Sequence, residues 1–234
     1  MRNLKKLIFL FVALMVGNSF ALDRIWDMRY TYGPEARPSP RFALGLGMRS
    51  DFGSNVLFPI NVSGQISKDL DIGAKVDVFT YGQMENVEES VDFGGRFRFR
   101  EGFLEVDGYF GLNRNNGSAV VLTYGKDYYV ARNFSNYYEI RAGFLDGVTD
   151  KDGIFKVALG TMPTFHFGRS FRCMVEITSS GSVGHISDDF MVDIIPKIEI
   201  SAGSSRIRLD FDIGVLQEDN NDNKTIALYV LSSF

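Results

Sequence analysis

Residues 90–112 read SVDFGGRFRFREGFLEVDGYFGL. Val91, Phe93, Gly95, Phe97 and Phe99 interleave with Asp92, Gly94, Arg96, Arg98 and Arg100. After Glu101 and Gly102, Leu104, Val106, Gly108, Phe110 and Leu112 interleave with Glu105, Asp107, Tyr109 and Gly111. Successive side chains of an extended strand point to opposite sides, so this spacing gives each segment one apolar and one polar face. Helical spacing does not fit. A two-residue turn at Glu101-Gly102 makes the stretch a hairpin in which Arg98 faces Glu105 and Arg96 faces Asp107. Opposite charges then meet across the ladder.

The same period of two runs through most of the chain. Ile60, Val62, Gly64 and Ile66 alternate with polar residues, as do Ile72, Ala74, Val76 and Val78, and again Ile207, Leu209, Phe211, Ile213 and Val215. Twelve strands are expected, over 41–49, 58–67, 70–80, 90–100, 103–112, 118–130, 136–145, 153–162, 165–178, 189–201, 205–216 and 224–234. Tight turns are expected at Lys68-Asp69, Glu101-Gly102, Arg132 to Ser135, Gly168 to Ser170, and Ala202 to Ser204. The intervening connections, such as 81–89, 146–152, 179–188 and 218–223, are longer or more polar. Short turns at one end and longer loops at the other are the arrangement of a membrane barrel. The expected fold is all-β: an antiparallel transmembrane β-barrel of twelve strands, ten being the alternative, with short periplasmic turns and longer external loops. With an even strand count, both termini fall on the short-turn side.

Composition agrees. Of 234 residues, 45% are apolar, because only alternate residues of such strands need to face lipid. Phe (21), Tyr (10) and Gly (24) are plentiful, and aromatic residues favour strands. The net charge of −4 comes with no basic tract, which argues against a nucleic-acid partner. The single Cys173 excludes an internal disulfide and a cysteine metal cluster.

The chain opens with Arg2, Lys5 and Lys6, then an apolar run from Leu7 to Val16, then Ser19 and Ala21 in a small-x-small pattern. This is the layout of a secretory signal peptide, with cleavage expected after Ala21. The apolar run is well short of the ~20 residues a spanning helix needs. No later stretch could form such a helix, so entry into a membrane after export requires a closed sheet. Residues 22–40 alternate at Trp26, Met28, Tyr30 and Tyr32 before Pro34, Pro38 and Pro40 interrupt them. They are expected to form a periplasmic or lumenal segment ahead of a barrel domain over 41–234.

The last residues, Lys224-Thr-Ile-Ala-Leu-Tyr-Val-Leu-Ser-Ser-Phe234, place Ile226, Leu228, Val230 and Phe234 on one face. A final alternating strand ending in Phe, behind a signal peptide, resembles the bacterial outer-membrane β-barrel class. Ser232 departs from that pattern, where an aromatic or apolar residue is usual. The resemblance covers 41–234 and singles out no family. It implies the outer membrane of a two-membrane bacterium, contact with its lipids, and Phe234 as the signal read by the barrel-assembly machinery.

The polar faces would then line a lumen. A turn at Gly203-Ser204 sets Glu199 opposite Arg208 and Lys197 opposite Asp210, a second pair of matched charges. The lumen is therefore not a one-sign stripe, although Arg96, Arg98 and Arg100 follow one another on one strand. Twelve-stranded channels for acidic sugars are expected to be strongly basic inside, and this chain is not. The expected role is a narrow, porin-like channel for small solutes or a structural envelope protein. Two alternatives remain, an outer-membrane lipid-modifying hydrolase and a soluble periplasmic β-barrel binding module. The hydrolase would rest on His185 and Ser187, a His-x-Ser spacing that could pair base and nucleophile, but Asp188 stands where such motifs carry Asn. His166 is expected near a tight turn, opposite Arg172, in a structural role. Residues 219–223 are rich in Asp and Asn but lack the Gly and Glu spacing of a calcium loop. No metal site and no cofactor are expected.

Overall fold

The alternation becomes geometry in the computed structural model, which describes residues 42–50, 56–80, 90–99, 102–111, 118–146, 154–183, 190–216 and 224–233. The segments 1–21 and 22–40, the candidate pair His185 and Ser187, the 219–223 loop and Phe234 lie outside the described residues.

The twelve strands are β1 (Phe42–Ser50), β2 (Val56–Ser67), β3 (Leu70–Thr80), β4 (Ser90–Phe99), β5 (Gly102–Gly111), β6 (Ser118–Ala131), β7 (Phe134–Asp146), β8 (Ile154–Phe167), β9 (Phe171–Ser182), β10 (Met191–Ala202), β11 (Ser205–Leu216) and β12 (Lys224–Ser233). Each pairs antiparallel with its chain neighbours, and β1 pairs with β12 from Ala43↔Ser233 to Ser50↔Ile226, which closes the barrel. Closure gives the edge strands their hydrogen-bond partners, as hydrocarbon demands. Most strands reach the ~9–11 residues that cross a bilayer at a tilt.

The two faces differ sharply. Outward positions carry Phe97, Val106, Leu122, Ile140, Phe155 and Leu159, each between 47% and 58% exposed. Large apolar side chains exposed all the way round mean a lipid-facing belt, and a water-soluble barrel would not tolerate them. Inward positions carry the polar set, and there almost every ionised side chain of mid-strand is buried. The packed interior of this protein is therefore its lumen.

Tight turns join β2 to β3, β8 to β9 and β10 to β11 where the sequence pattern puts them. Gly168 (φ 69°) and Gly203 (φ 62°) adopt the left-handed conformation that these turns require and that a Cβ disfavours. Two expectations need correction. The β4–β5 ladder pairs Phe99 with Gly102 and Arg96 with Glu105, so the turn is centred one residue earlier than Glu101-Gly102. Moving a turn by one residue moves every cross-strand partner by two. Faces are kept, but Arg98 lies opposite Phe103 and Asp107 opposite Gly94. The second correction is β8. It does not end at 162 but runs through Pro163 to Phe167, and β9 begins only at Phe171. Pro163 pairs with Asn136 of β7, while the ladder to β9 passes from Thr161↔Ile177 to Thr164↔Met174 in unchanged register. Proline lacks one ladder donor, which a long strand held on both sides survives.

Glycine also makes room inside. Phe103 of β5 and Tyr137 of β7 stack with ring centroids 6.2 Å apart across Gly125 of β6. A Cβ at Gly125 would lie 2.5 Å from Cζ of Phe103. Gly95 faces outward, and a Cβ there meets nothing nearer than 3.8 Å. Substituting Gly125→Val should destabilise the refolded barrel by about 1–3 kcal/mol through overpacking, whereas Gly95→Val should be near neutral. Urea unfolding of the two variants in micelles, followed by the boiling-sensitive band on gels, checks the contrast; equal effects would remove Gly125 from this role.

Candidate functional site

A chain of charged side chains runs round the lumen. On β3–β5, Arg98 bonds Asp71 and Arg96 bonds Glu105, while Lys75 meets Asp92 at 3.5 Å. Arg98 also donates to the carbonyl of Lys68 (2.8 Å), tying it to the β2–β3 turn. The Arg96 guanidinium lies 4.0 Å from the Phe103 ring centroid, a cation–π contact at the edge of the apolar cluster. That cluster of Phe103, Tyr137, Met162 and Met174 draws one side chain each from β5, β7, β8 and β9.

On the other wall the links are continuous. Arg141 of β7 bonds Glu139 and reaches Glu176 of β9 at 3.8 Å. Lys197 of β10 then bridges Glu176 (2.6 Å) and Asp210 of β11 (3.3 Å). Asp210 forms an ion pair with Arg208 (2.9 Å), and Arg208 lies 4.9 Å from the Tyr229 ring of β12. Arg172 bonds Glu199 beside this line. Strand β8 lies between β7 and β9 but offers only small groups at this level, Ala158 opposite Arg141 and Gly160 opposite Glu139. The Glu139 side chain rests over Gly160, where a Cβ would come within 2.7 Å of it.

The expected pairs are placed as follows. Lys197 sits opposite Asp210 and Glu199 opposite Arg208. Lys197 and Asp210 do bond, but Glu199 is taken by Arg172 and Arg208 by Asp210. Arg96 has Glu105 as its partner instead of Asp107, and Arg98 has Asp71 instead of Glu105. Arg141, Glu176 and the apolar cluster were not singled out in the sequence. Their only signal there is a position on the polar face, because their contacts are diagonal, within one strand or across an intervening strand, and are not the directly opposite pairs that a turn sets.

Asp71 is 0% and Glu105 1% exposed. Water scarcely reaches this belt, so each charge depends on its neighbours for stabilisation. Chemically, the lumen offers alternating signs at this level. Near the turn end, Ser135 Oγ and His166 Nε2 are 2.8 Å apart, with Arg172 opposite His166. Among the described residues no group of three or more His, Cys, Asp or Glu is arranged to hold a metal ion.

No protein-family model matches this chain, and no curated protein matches it. Solved structures do. The NanC porin aligns over 82% of this chain and 98% of its own, with 10% identity and a TM-score of 0.60. The KdgM porin, solved in complex with disordered oligogalacturonate, aligns over 82% of this chain and 99% of its own, with 9% identity and a TM-score of 0.63. An outer membrane channel from Pseudomonas putida F1 aligns over 86% and 98%, with 10% identity and a TM-score of 0.61. At such identity the likeness is one of fold, the closed barrel of outer-membrane channels.

Removing one member of the buried belt should cost more than removing a surface charge. Lys197→Met leaves Glu176 and Asp210 facing each other, and a loss of about 3–5 kcal/mol is expected. Replacing Lys68, whose side chain is 90% exposed in the β2–β3 turn, should change stability very little. Urea midpoints of the two variants, measured side by side, decide whether the belt supports the barrel.

Proposed function

We propose that this chain is a narrow outer-membrane channel for small solutes with weak charge selectivity. The observation that carries the reading is a closed twelve-strand barrel, clothed in apolar side chains, whose lumen charges are bonded to one another. A charge already neutralised by a neighbour attracts a passing ion weakly, and the paired side chains occupy the space a wide pore would need. In this reading the first 21 residues are a signal peptide removed on export, Phe234 is read by the assembly machinery, and lipid surrounds the belt.

One neighbour was solved with oligogalacturonate, a polyanion. A polyanion calls for a run of available cations, and here Arg96 and Arg98 are engaged by Glu105 and Asp71. Small neutral or zwitterionic solutes suit this lumen better. A second reading, a sealed structural barrel, draws on the near-zero accessibility of Asp71 and Glu105.

Protein purified from outer-membrane fractions and placed in planar bilayers should give small, discrete conductance steps with little preference between cation and anion. The double variant Met162→Ala/Met174→Ala should raise the step size, because it shortens two side chains of the lumenal cluster. Absence of any conductance from boiling-sensitive, folded protein would reject the channel in favour of the sealed barrel, and a strong preference for one sign would reject the paired-charge account.

A further inference from the structure

Three adjacent strands each send one side chain to the short-turn mouth of the lumen: Tyr129 from β6, Ser135 from β7 and His166 from β8. Tyr129 lies directly opposite Ser135, and Thr164 faces Ser135 from the other side. His166 stands two residues beyond Thr164, on the same face and diagonal to the serine. The backbone holds this diagonal, because the His166 N–H donates to the carbonyl of Asn133 (2.9 Å). Ser135 Oγ and His166 Nε2 are 2.8 Å apart. With the ring proton on Nδ1, Nε2 accepts the hydroxyl hydrogen, which is the bond a serine nucleophile makes to its base. The Tyr129 ring stacks on the imidazole, with centroids 6.2 Å apart and planes 24° apart, and limits its rotation.

The surroundings set the substrate. Outward neighbours on β7 and β8, namely Tyr138, Phe165 and Phe167, are between 49% and 58% exposed, whereas Ser135 and Thr164 are buried on the inner face. The dyad is therefore turned away from lipid, and its substrates must come from water. One inward step toward mid-barrel from Ser135, Thr164 and Arg172 stand Tyr137, Met162 and Met174 of the apolar cluster, which give a short acyl group an apolar neighbour. On the opposite side the dyad opens toward solvent. His166 is half-buried, Tyr129 is 63% exposed, and the turns Arg132-Asn133 and Gly168 to Ser170 are exposed.

We infer that Ser135 and His166 form a catalytic dyad that cleaves small, water-soluble carboxylic esters with a short acyl group. Ser135 Oγ attacks the carbonyl carbon, and its proton passes to His166 Nε2. The bond from that carbon to the alcohol oxygen breaks, and the alcohol leaves with the proton. Water then attacks the acyl-serine, giving a proton to His166. His166 returns it to Ser135 Oγ as the carboxylic acid departs. This activity is additional to the channel and does not depend on whether the lumen conducts.

The test uses the full-length protein folded in detergent micelles, a fluorophosphonate probe and p-nitrophenyl acetate. Ser135 Oγ should displace fluoride from the probe's phosphorus, and peptide mass spectrometry should find the phosphonate on Ser135. Labelling and ester hydrolysis should both fall as the pH drops below about 6.5, where an ordinary imidazole takes its proton. Ser135→Ala should abolish both. His166→Gln keeps a hydrogen-bonding group beside the serine but loses the base, and should slow both about a hundredfold. Gels with and without boiling keep the comparison to folded barrels. Folded wild type that is unlabelled at Ser135 would overturn the dyad. So would His166→Gln labelled at the wild-type rate, or hydrolysis that persists undiminished in Ser135→Ala.

Discussion

In a bilayer the backbone has no water to bond, and the ladder between β1 and β12 is where this chain meets that constraint. Eleven ladders follow from chain order, each a hairpin or meander step between neighbours. The twelfth joins the two ends of the barrel, and without it two strands would present rows of unpaired N–H and C=O groups to lipid. Closure also curls the sheet so that one face of every strand converges on a narrow axis. The polar residues that alternation places on that face are thereby brought within bonding distance of one another across strands.

Convergence explains why the lumen behaves as a protein core made of charge. Burying a lone carboxylate or guanidinium is expensive, and mutual attraction offsets it only when the partners are close and well bonded. Arg141, Glu176, Lys197, Asp210 and Arg208 meet that condition as a chain across four strands, helped by the small lumenal residues of β8. The apolar cluster of Phe103, Tyr137, Met162 and Met174 fills the space beside it, and the Arg96–Phe103 contact joins the two regions. A wall built this way is nearly neutral.

The outer wall obeys a different solvent. Apolar side chains cover it with almost no interruption, and the exception on β6–β7 gathers a lysine, three tyrosines and an asparagine at one height. The same alternation that sends Gly125 and Asp127 inward sends Lys126 and Tyr128 outward. One strand thus serves the packed lumen and the lipid interface at once.

The period of two in segments such as 90–112 determined the strands, their number and which side chains share a face, because face is a local property of an extended backbone. The Gly203-Ser204 turn was legible for the same reason, and with it Lys197 opposite Asp210. The tertiary structure decided what local pattern could not. The β4–β5 turn lies one residue earlier than the Gly at 102 suggests, which gave Glu105 to Arg96, and Pro163 proved compatible with a strand supported on both sides. Arg98 with Asp71, and Arg141 with Glu176, join residues 27 and 35 apart in the chain. Arg98 meets Asp71 diagonally through the β3–β4 register, and Arg141 reaches Glu176 across β8 through two ladders, so both pairs exist only once those strands lie side by side in their registers.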